Sequence, residues 1–266
     1  MHTLIVVGSG IKSIAHLTEE TKRVIQNADK VLYLVNEENL KVWIDRESKE
    51  AESMELIYFN FHKRADAYHN ITTYIVNESR KIKNLCVVFY GHPAVFAESA
   101  LSAVKIIRAE HGKAVILPAI SSMDCLFSDL QIDPGNQGCF VIDATELLVY
   151  ERQIDIYAHG ILWQISNLGM HDTKQTQKLN VLCDYLLNFY HEEHQVCIYE
   201  AAILPLKKPR IEWFILRELY QVEVTPISTL YIPPVTPKSV SKKYLDLLEI
   251  DVQNFKLSTE ADTPTK

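Results

Sequence analysis

Basic tracts, paired cysteines and long apolar runs are all missing from this chain of 266 residues. Lysine and arginine number 27 against 34 aspartate and glutamate, so the net charge is −7 and non-specific binding to nucleic acid is disfavoured. No apolar run approaches the roughly 18 residues of a membrane span, and the first residues lack a signal-peptide pattern. These absences predict a globular, cytoplasmic protein whose partners include neither nucleic acid nor membrane.

Cysteine is scarce, odd in number and scattered, which is typical of buried thiols in a reducing compartment. The five cysteines are Cys86, Cys125, Cys139, Cys183 and Cys197. No pair of them has the spacing of a zinc site, and His191 and His194 are three residues apart rather than the four of a helical metal motif. The sequence therefore predicts no metal site.

Glycine is also scarce, and its first cluster, Gly8-Ser9-Gly10, follows the apolar run Leu4 to Val7. Such a turn could begin a dinucleotide fingerprint, with Glu37 or Glu38 after the second strand as the ribose acceptor. That motif needs a third glycine where Ser13 stands, so a dinucleotide-binding site is disfavoured. A tight turn, or close approach of the backbone to another ligand, remains open.

Alternating strands and helices are present along the first half of the chain. The predicted strands are 4–7, 30–35, 85–89 and 114–117, and the predicted helices are 19–27, 63–83, 99–111 and 121–130. Thr18 is a plausible N-cap of the helix at 19–27. This alternation is typical of βαβ units and a largely parallel sheet, which makes the fold class α/β.

A second half begins near the break at Asp133-Pro134-Gly135. Its predicted elements are strands at 161–165, 196–199 and 227–232 and a helix at 174–190. We expect an N-terminal α/β lobe at residues 1–118 and a C-terminal α/β lobe at 119–250. Residues 251–266 are polar and are expected to be disordered.

The turn Tyr90-Gly91-His92-Pro93 ends the predicted strand at 85–89, and open α/β sheets bind ligands at the carboxyl ends of their strands. Arg64 and Tyr68 are four residues apart and share a helix face, where an arginine can hold an oxyanion while a phenol moves a proton. Taken alone, such a pair is more often a surface contact.

Six turns taken together carry a resemblance to a known family. They are Gly8-Ser9-Gly10, Tyr90-Gly91-His92-Pro93-Ala94-Val95-Phe96, Pro118-Ala119-Ile120-Ser121-Ser122, Ile132-Asp133-Pro134-Gly135, Leu162-Trp163-Gln164-Ile165 and Pro226-Ile227-Ser228-Thr229. In this order they resemble the tetrapyrrole-methylase-like, class III S-adenosylmethionine methyltransferases, and among these the borosin peptide backbone α-N-methyltransferases. Ala119 stands where the family commonly has a glycine.

The resemblance implies a two-lobed tetrapyrrole-methylase-like fold with the methyl-donor site in the cleft between the lobes. It implies S-adenosylmethionine as cofactor, S-adenosylhomocysteine as product, and a homodimer. The implied donor-site residues are Gly8, Gly10, His92, Val95, Phe96, Ser121, Gln164, Ala201, Ser228 and Thr229. The implied catalytic residues are Tyr58, Arg64, Tyr68 and Tyr90.

Fungal-type borosin enzymes carry their substrate as a C-terminal extension, whereas residues 251–266 are short, acidic and without an apolar core peptide. We therefore expect a split enzyme of borosin biosynthesis that methylates a separate ribosomally made precursor in trans, as a homodimer or as a heterotetramer with two precursors. Two alternatives remain open: a methyltransferase for a tetrapyrrole or another small molecule, and a non-catalytic module that binds the methyl donor.

Overall fold

The structure, a computed structural model, describes residues 2–61, 63–170, 178–236 and 238–251. Within these ranges the chain forms two compact units. Unit 1 comprises the described parts of residues 1–126, 169–175 and 200–210, and unit 2 comprises those of residues 127–168, 176–199 and 211–266. The lobe boundaries expected from the sequence stay a prediction.

Each unit is built around a five-stranded sheet. The strands are β1 Thr3–Gly8, β2 Lys30–Leu34, β3 Ala51–Ser53, β4 Asn84–Phe89, β5 Lys113–Ile116, β6 Cys139–Asp143, β7 His159–Trp163, β8 Gln195–Glu200, β9 Arg210–Ile215 and β10 Thr229–Ile232. The first sheet has the order β3-β2-β4-β1-β5 and all its pairs are parallel. The second has the order β6-β7-β10-β8-β9, and β10 runs antiparallel to both its neighbours.

Helices and short 3₁₀ segments connect the strands. The helices are α1 Glu19–Asn27, α2 Glu38–Glu47, α3 Glu55–Phe59, α4 Arg64–Ser79, α5 Glu98–Ala109, α6 Ser122–Leu130, α7 Pro134–Gln137, α8 Ala144–Val149, α9 Leu179–Leu186 and α10 Lys242–Leu247. The 3₁₀ segments are Ser13–His16, Ile165–Asn167 and Leu216–Gln221.

Apolar residues cover both faces of the first sheet, as expected for parallel strands flanked by helices. Ile71 and Ile75 of α4 are fully buried with Leu4 and Val6 of β1 on one face, and Ile25 of α1 is buried on the other. The Thr18 hydroxyl accepts a hydrogen bond from the Thr21 N–H at 3.0 Å, which confirms the predicted N-cap of α1.

Most of the predicted elements are confirmed within a few residues, but the helix expected at 174–190 is shorter. Its first four residues lie outside the described ranges, and α9 ends at Leu186. No sequence pattern predicted α2, β3 or α3, whose residues are of mixed polarity, or β6, α8, β9 and α10 in the second half of the chain. The tail expected to be disordered lies outside the described residues from position 252 onward.

The Glu37 carboxylate, considered above as a ribose acceptor, is engaged in hydrogen bonds within the protein. It accepts hydrogen bonds from the N–H groups of Asn39 at 2.9 Å and Leu40 at 3.0 Å, and so caps α2. The Ser13 hydroxyl donates to the same carboxylate from a left-handed backbone. Glu37 is therefore engaged in holding the loop after β1 against the start of α2.

No helix among the described residues is long and apolar enough to cross a membrane.

Candidate functional site

A cavity of about 290 Å³ lies in unit 1 at the carboxyl ends of the neighbouring strands β2 and β4. Its lining comes from the ends of these strands, from α3 and α4, and from the loop that leads into α5. The lining residues are Leu34, Val35, Asn36, Glu55, Tyr58, Phe59, Tyr68, Phe89, Tyr90, Val95, Phe96, Ala97, Glu98 and Ser99. Five residues predicted from the sequence, namely Tyr58, Tyr68, Tyr90, Val95 and Phe96, thus line one cavity.

A larger and more open cavity, of about 620 Å³, lies beside α1 near the amino ends of β1 and β4. It contains none of the predicted site residues. Because ligands of open α/β sheets bind at the carboxyl ends of the strands, we regard the smaller cavity as the candidate site.

Tyr58, Arg64 and Tyr68 form one cluster of polar side chains. Tyr68 lies one helical turn after Arg64 on α4, and its phenol interacts electrostatically with the Tyr58 phenol and the Arg64 guanidinium. The rings of Tyr58 and Tyr68 lie 6.3 Å apart, centroid to centroid. Burial raises the pKa of Tyr68, and the neighbouring Tyr58 raises it further. Arg64 acts to lower it.

Two further contacts fix the cluster in unit 1. The Arg64 Nη2 group donates to the backbone oxygen of Met170 at 3.4 Å. The backbone oxygen of Tyr68 accepts from the hydroxyls of Thr72 at 2.8 Å and Ser99 at 3.1 Å, which ties α4 to the start of α5. The half-buried guanidinium therefore has a defined position beside two phenols.

Tyr90 enters the same cavity from the end of β4. Its N–H donates to the backbone oxygen of Leu34 at 3.1 Å, which continues the pairing of β4 with β2 by one residue. Burial raises the pKa of the Tyr90 phenol, and a hydrogen bond from the Asn36 side chain acts to lower it. Tyr90 thus joins the pair Tyr58 and Tyr68 as a third phenol in a partly apolar cavity.

Gly8 and Gly10 of the predicted donor site allow the turns at Gly91-Pro93 and Ala119 to approach closely. Gly10 and Gly91 exchange backbone hydrogen bonds of 3.2 and 3.1 Å, and both have positive φ. A Cβ on Gly8 would overlap the Gly91 oxygen and would lie 2.6 Å from Ala119 Cβ and 2.7 Å from Pro93 Cδ. Gly8 and Gly10 are therefore required where three turns that are distant in sequence meet.

The loop from His92 to Phe96 is shaped by its own hydrogen bonds. His92 Nδ1 accepts from the Ala94 N–H at 3.1 Å, and the His92 oxygen accepts from the Val95 N–H at 3.1 Å. Phe96 has a left-handed backbone, with φ of 51°, and its side chain is 51% exposed. A non-glycine residue in this region is strained, and such strain is concentrated at functional sites.

Ser121 is buried and caps α6. Its N–H and its hydroxyl donate to the Asp124 carboxylate at 2.6 and 2.7 Å, and its hydroxyl oxygen accepts from the Asp124 N–H at 3.3 Å. The side chain thus fixes the start of α6 directly after the turn that contains Ala119.

Three predicted donor-site residues lie in unit 2, where strand β7 ends and strand β10 begins. Gln164 follows β7 with a left-handed backbone, and Thr229 begins the neighbouring strand β10 directly after Ser228. Ser228 Oγ accepts from the Thr225 N–H at 2.8 Å. Ala201 comes directly after β8 along the chain and is part of unit 1.

Several cavity residues were not identified from the sequence, notably Asn36, Glu55, Phe59, Glu98 and Ser99. Asn36 is the second residue after β2, so its position at a strand end could have identified it. The others lie on α3 or at the start of α5, where no sequence motif distinguishes them. Among the described residues, no group of three or more His, Cys, Asp or Glu side chains is arranged to hold a metal ion.

The comparisons with known proteins agree on one family. Residues 3–202 match the family model described as Tetrapyrrole (Corrin/Porphyrin) Methylases. The chain is 37% identical, over 90% of its length, to a methyltransferase/ribosomally synthesized cyclic peptide lentinulin A precursor of Lentinula edodes. It is 35% identical, over 93% of its length, to a methyltransferase/ribosomally synthesized type I borosin cyclic peptide precursor of Coprinopsis marcescibilis. The chain spans 59% and 66% of these two proteins.

A solved structure supports the same fold. The crystal structure of uroporphyrin-III C-methyl transferase from Thermus thermophilus, complexed with S-adenyl homocysteine, superimposes with a TM-score of 0.61 at 16% identity. The match covers 87% of this chain and 92% of that one. Together with the two α/β sheets, these matches show that the chain belongs to the tetrapyrrole methylase family, which indicates S-adenosylmethionine as the methyl donor.

Proposed function

We propose that this protein transfers a methyl group from S-adenosylmethionine to backbone amide nitrogens of a ribosomally made peptide. The observation that carries the proposal is the cluster of Tyr58, Arg64 and Tyr68, with Tyr90 in the same cavity. The printed names of relatives at 35–37% identity, which combine a methyltransferase with a cyclic peptide precursor, support the same substrate class.

The chemistry of an amide explains why these residue types are suited to the task. The nitrogen lone pair is delocalised into the carbonyl group, so an amide nitrogen is a poor nucleophile. Arg64 would hold the amide oxygen and stabilise the negative charge that develops on it as the N–H proton leaves. A guanidinium fixed by Met170 and Tyr68 needs little reorganisation to do so.

The phenols would move the proton. Burial raises the pKa of Tyr68 and of Tyr90, so both are protonated in most molecules at neutral pH. An ionised phenol among them would accept the amide proton as the nitrogen forms its new bond to carbon. Tyr58 acts to raise the pKa of Tyr68, so only one of these two neighbouring phenols would serve as the base at a time.

The donor supplies an electrophilic methyl group on a sulfonium sulfur. The loop from His92 to Phe96 fits such a ligand in its chemistry, since an exposed aromatic ring lies next to an imidazole and an aliphatic side chain at a strand end. The donor-site assignment of Gly8, Gly10, His92, Val95, Phe96, Ser121, Gln164, Ala201, Ser228 and Thr229 is part of the proposal.

The proposal extends to the way the substrate is supplied. We infer a separate precursor that is methylated in trans by a homodimer, on the basis of the family resemblance. The test is to compare an apolar peptide added in solution with the same peptide fused after residue 266. Methylation of the free peptide is expected, and methylation of the fused peptide alone would contradict action in trans.

A second candidate is favoured by the description of the matching family, whose model is that of corrin and porphyrin methylases. Incubation with uroporphyrinogen III and donor separates the two reactions, because the peptide proposal predicts no methylated tetrapyrrole. Donor binding by calorimetry, without methylated product from either substrate class, would instead favour a non-catalytic binding module.

A further inference from the structure

His16 is a half-buried histidine beside the glycine turn after β1, and none of the motifs in the sequence includes it. Its Nδ1 atom accepts a hydrogen bond from the backbone N–H of Ile11 at 3.2 Å. A Cβ on Gly10 would lie only 2.3 Å from His16 Cβ, so His16 also packs directly against Gly10. One side chain therefore holds two successive residues of this turn.

The backbone held by His16 is joined to the loop that carries other predicted donor-site residues. Gly10 exchanges backbone hydrogen bonds of 3.2 and 3.1 Å with Gly91, which directly precedes the loop at 92–96. Ile11 is 3% exposed, and its Cδ1 would lie 3.6 Å from a Cβ on Gly91. His16 is thus connected to Gly91 through two neighbouring residues.

The imidazole has to be neutral for this contact, because a ring nitrogen that accepts a hydrogen bond carries no proton. The proton is then on Nε2, and the bond to Ile11 fixes this tautomer. Burial and the charge of Lys12 both lower the pKa of His16, which favours the neutral form at pH 7. Without the imidazole, the N–H of the buried Ile11 would lose this acceptor, which costs more than the loss of an exposed bond.

We propose that His16 is a positioning residue for the methyl donor, and that it holds the backbone of Gly10 and Ile11 in the conformation that S-adenosylmethionine requires. The inference rests on the proposed function, because Gly8 and Gly10 are assigned to the donor site there. It goes further by naming the side chain that maintains the glycine turn. The expected consequence of its loss is a lower affinity for the donor, with the chemistry at the phenols unchanged.

Three substitutions separate the acceptor atom from the bulk of the side chain. His16→Asn keeps an acceptor oxygen at the δ position, whereas His16→Leu removes the acceptor and keeps an apolar side chain of similar bulk. His16→Gln is a second disruptive variant, because its oxygen lies one bond further from the backbone. His191 provides the matched control, since its Nδ1 accepts from the Glu193 N–H at the same distance of 3.2 Å, but in an exposed turn of unit 2.

Calorimetry with S-adenosylmethionine is the first measurement, and it does not depend on methyl transfer. The Kd should rise about threefold to tenfold in His16→Leu and His16→Gln, and should stay within about twofold of the wild-type value in His16→Asn and His191→Leu. Denaturant titration of the same variants gives the folded fraction. An unchanged Kd in folded His16→Leu or His16→Gln would overturn the inference, because a purely structural bond lowers stability without altering the affinity of the folded protein. An equal rise in His191→Leu would also overturn it.

The second measurement identifies the tautomer by NMR. The full chain is labelled with ¹⁵N at histidine, and the His16 signals are assigned by their absence from His16→Asn. We expect an unprotonated Nδ1 and a protonated Nε2 at pH 7. A proton on Nδ1 in the folded protein would overturn the inference.

Turnover of the full chain with peptide and donor separates this inference from the proposed function. His16→Leu should raise the KM for the donor by a factor similar to that for Kd, and should change kcat at saturating donor by less than about twofold. If the wild-type protein binds the donor but methylates no peptide, the proposed function fails and calorimetry still decides the role of His16. If kcat falls in His16→Leu while the donor affinity is unchanged, donor positioning fails and the proposed function survives.

Discussion

At the scale of residues, the candidate site depends on how firmly Tyr68 is held. Its backbone oxygen accepts two hydroxyl hydrogen bonds, from Thr72 and Ser99, and its phenol contacts both Tyr58 and Arg64. The two hydroxyl bonds hold the backbone that carries the phenol, and catalysis by alignment requires such a defined position. Substitution of Tyr68 or Arg64 should therefore lower turnover far more than substitution of an exposed residue of the same type.

Removing the Tyr68 hydroxyl should abolish most turnover without loss of the methyl donor. Tyr68→Phe keeps the ring in the cavity but removes the proton-transferring group, so kcat should fall about 100-fold or more. Calorimetry should show unchanged affinity for S-adenosylmethionine. Tyr150→Phe is the control, since Tyr150 is 69% exposed in unit 2, and its turnover should match the wild type. Equal activity of Tyr68→Phe and wild type would contradict the assigned role.

Arg64 offers a test of charge stabilisation rather than of proton transfer. Arg64→Gln keeps hydrogen-bonding capacity but removes the positive charge that would face the amide oxygen, so kcat should fall about 100-fold to 1,000-fold. Arg46→Gln, at an exposed site on α2, is the matched change and should leave kcat unaltered. The rate constant of methyl transfer under single-turnover conditions reports the chemical step directly.

The pH dependence of turnover follows from the two buried phenols. The pKa values of Tyr68 and Tyr90 are raised above their usual range, so the ionised fraction is small at neutral pH and grows with each unit of pH. The rate should therefore rise from about pH 7 toward about pH 10, with the ionised form as the active one. A profile that stays flat or falls over this range would exclude an ionised phenol as the base.

At the scale of elements, the junction of the three turns depends on Gly8. Gly8→Ala inserts a methyl group that meets the Gly91 oxygen, Pro93 and Ala119, and none of these is the end of a flexible side chain. The free energy of unfolding should fall by about 2–3 kcal/mol. Gly135→Ala is the comparison, because its φ is not positive and its Cβ would meet only the end of the Asp133 side chain, so the change should be under about 1 kcal/mol. Denaturant titration measures both.

A buried ion-pair network joins β2, β3 and α4. Lys30 Nζ lies 3.3 Å from Glu50, 2.7 Å from Glu52 and 3.1 Å from Glu78, and the side chains of Lys30 and Glu78 are only about 10% exposed. Its contacts raise the pKa of Lys30 and lower those of Glu52 and Glu78. The network is thus fully ionised at neutral pH.

Lys30→Met should destabilise unit 1 by about 1–3 kcal/mol, because the buried Glu78 carboxylate then keeps its ion pair with the exposed Lys81 but loses the one with Lys30. Lys30→Met combined with Glu78→Gln should recover part of this loss. Since the folded-state pKa values of the two carboxyl groups are depressed, their contribution is present above the usual glutamate pKa and is lost as the pH falls through the lower folded-state values. Unfolding at a series of pH values checks this, and a double variant no better than the single one would contradict the coupling.

Sequence patterns predicted elements with continuous or periodic apolar residues and missed elements of mixed polarity, including the ten-residue α2. The pattern of Ile71 and Ile75 on α4, and Thr18 before α1, predicted helices that the structure confirms. By contrast, α3 has five residues, of which Leu56 and Phe59 are exposed, so periodicity carries little information there. This element brings Tyr58 into the cavity, and only the family resemblance identified that residue.

At the scale of the whole molecule, membership of the tetrapyrrole methylase family indicates a methyl donor but leaves the acceptor to be established. The fold occurs in a uroporphyrin-III C-methyl transferase, and the printed names of the relatives combine a methyltransferase with a cyclic peptide precursor. Function therefore has to be argued from the site. Sequence reasoning identified Tyr58, Tyr68 and Tyr90, but it missed Asn36, although the position of this residue just after β2 could have identified it.

The most direct test of the central claim is tandem mass spectrometry of a peptide incubated with the full chain and S-adenosylmethionine labelled with CD₃. Fragment ions should place one CD₃ group on each modified backbone nitrogen, and the Tyr68→Phe protein should produce none of these ions. Label found only on side chains, or no label in the peptide under conditions where calorimetry shows donor binding, would contradict peptide backbone N-methylation by this protein.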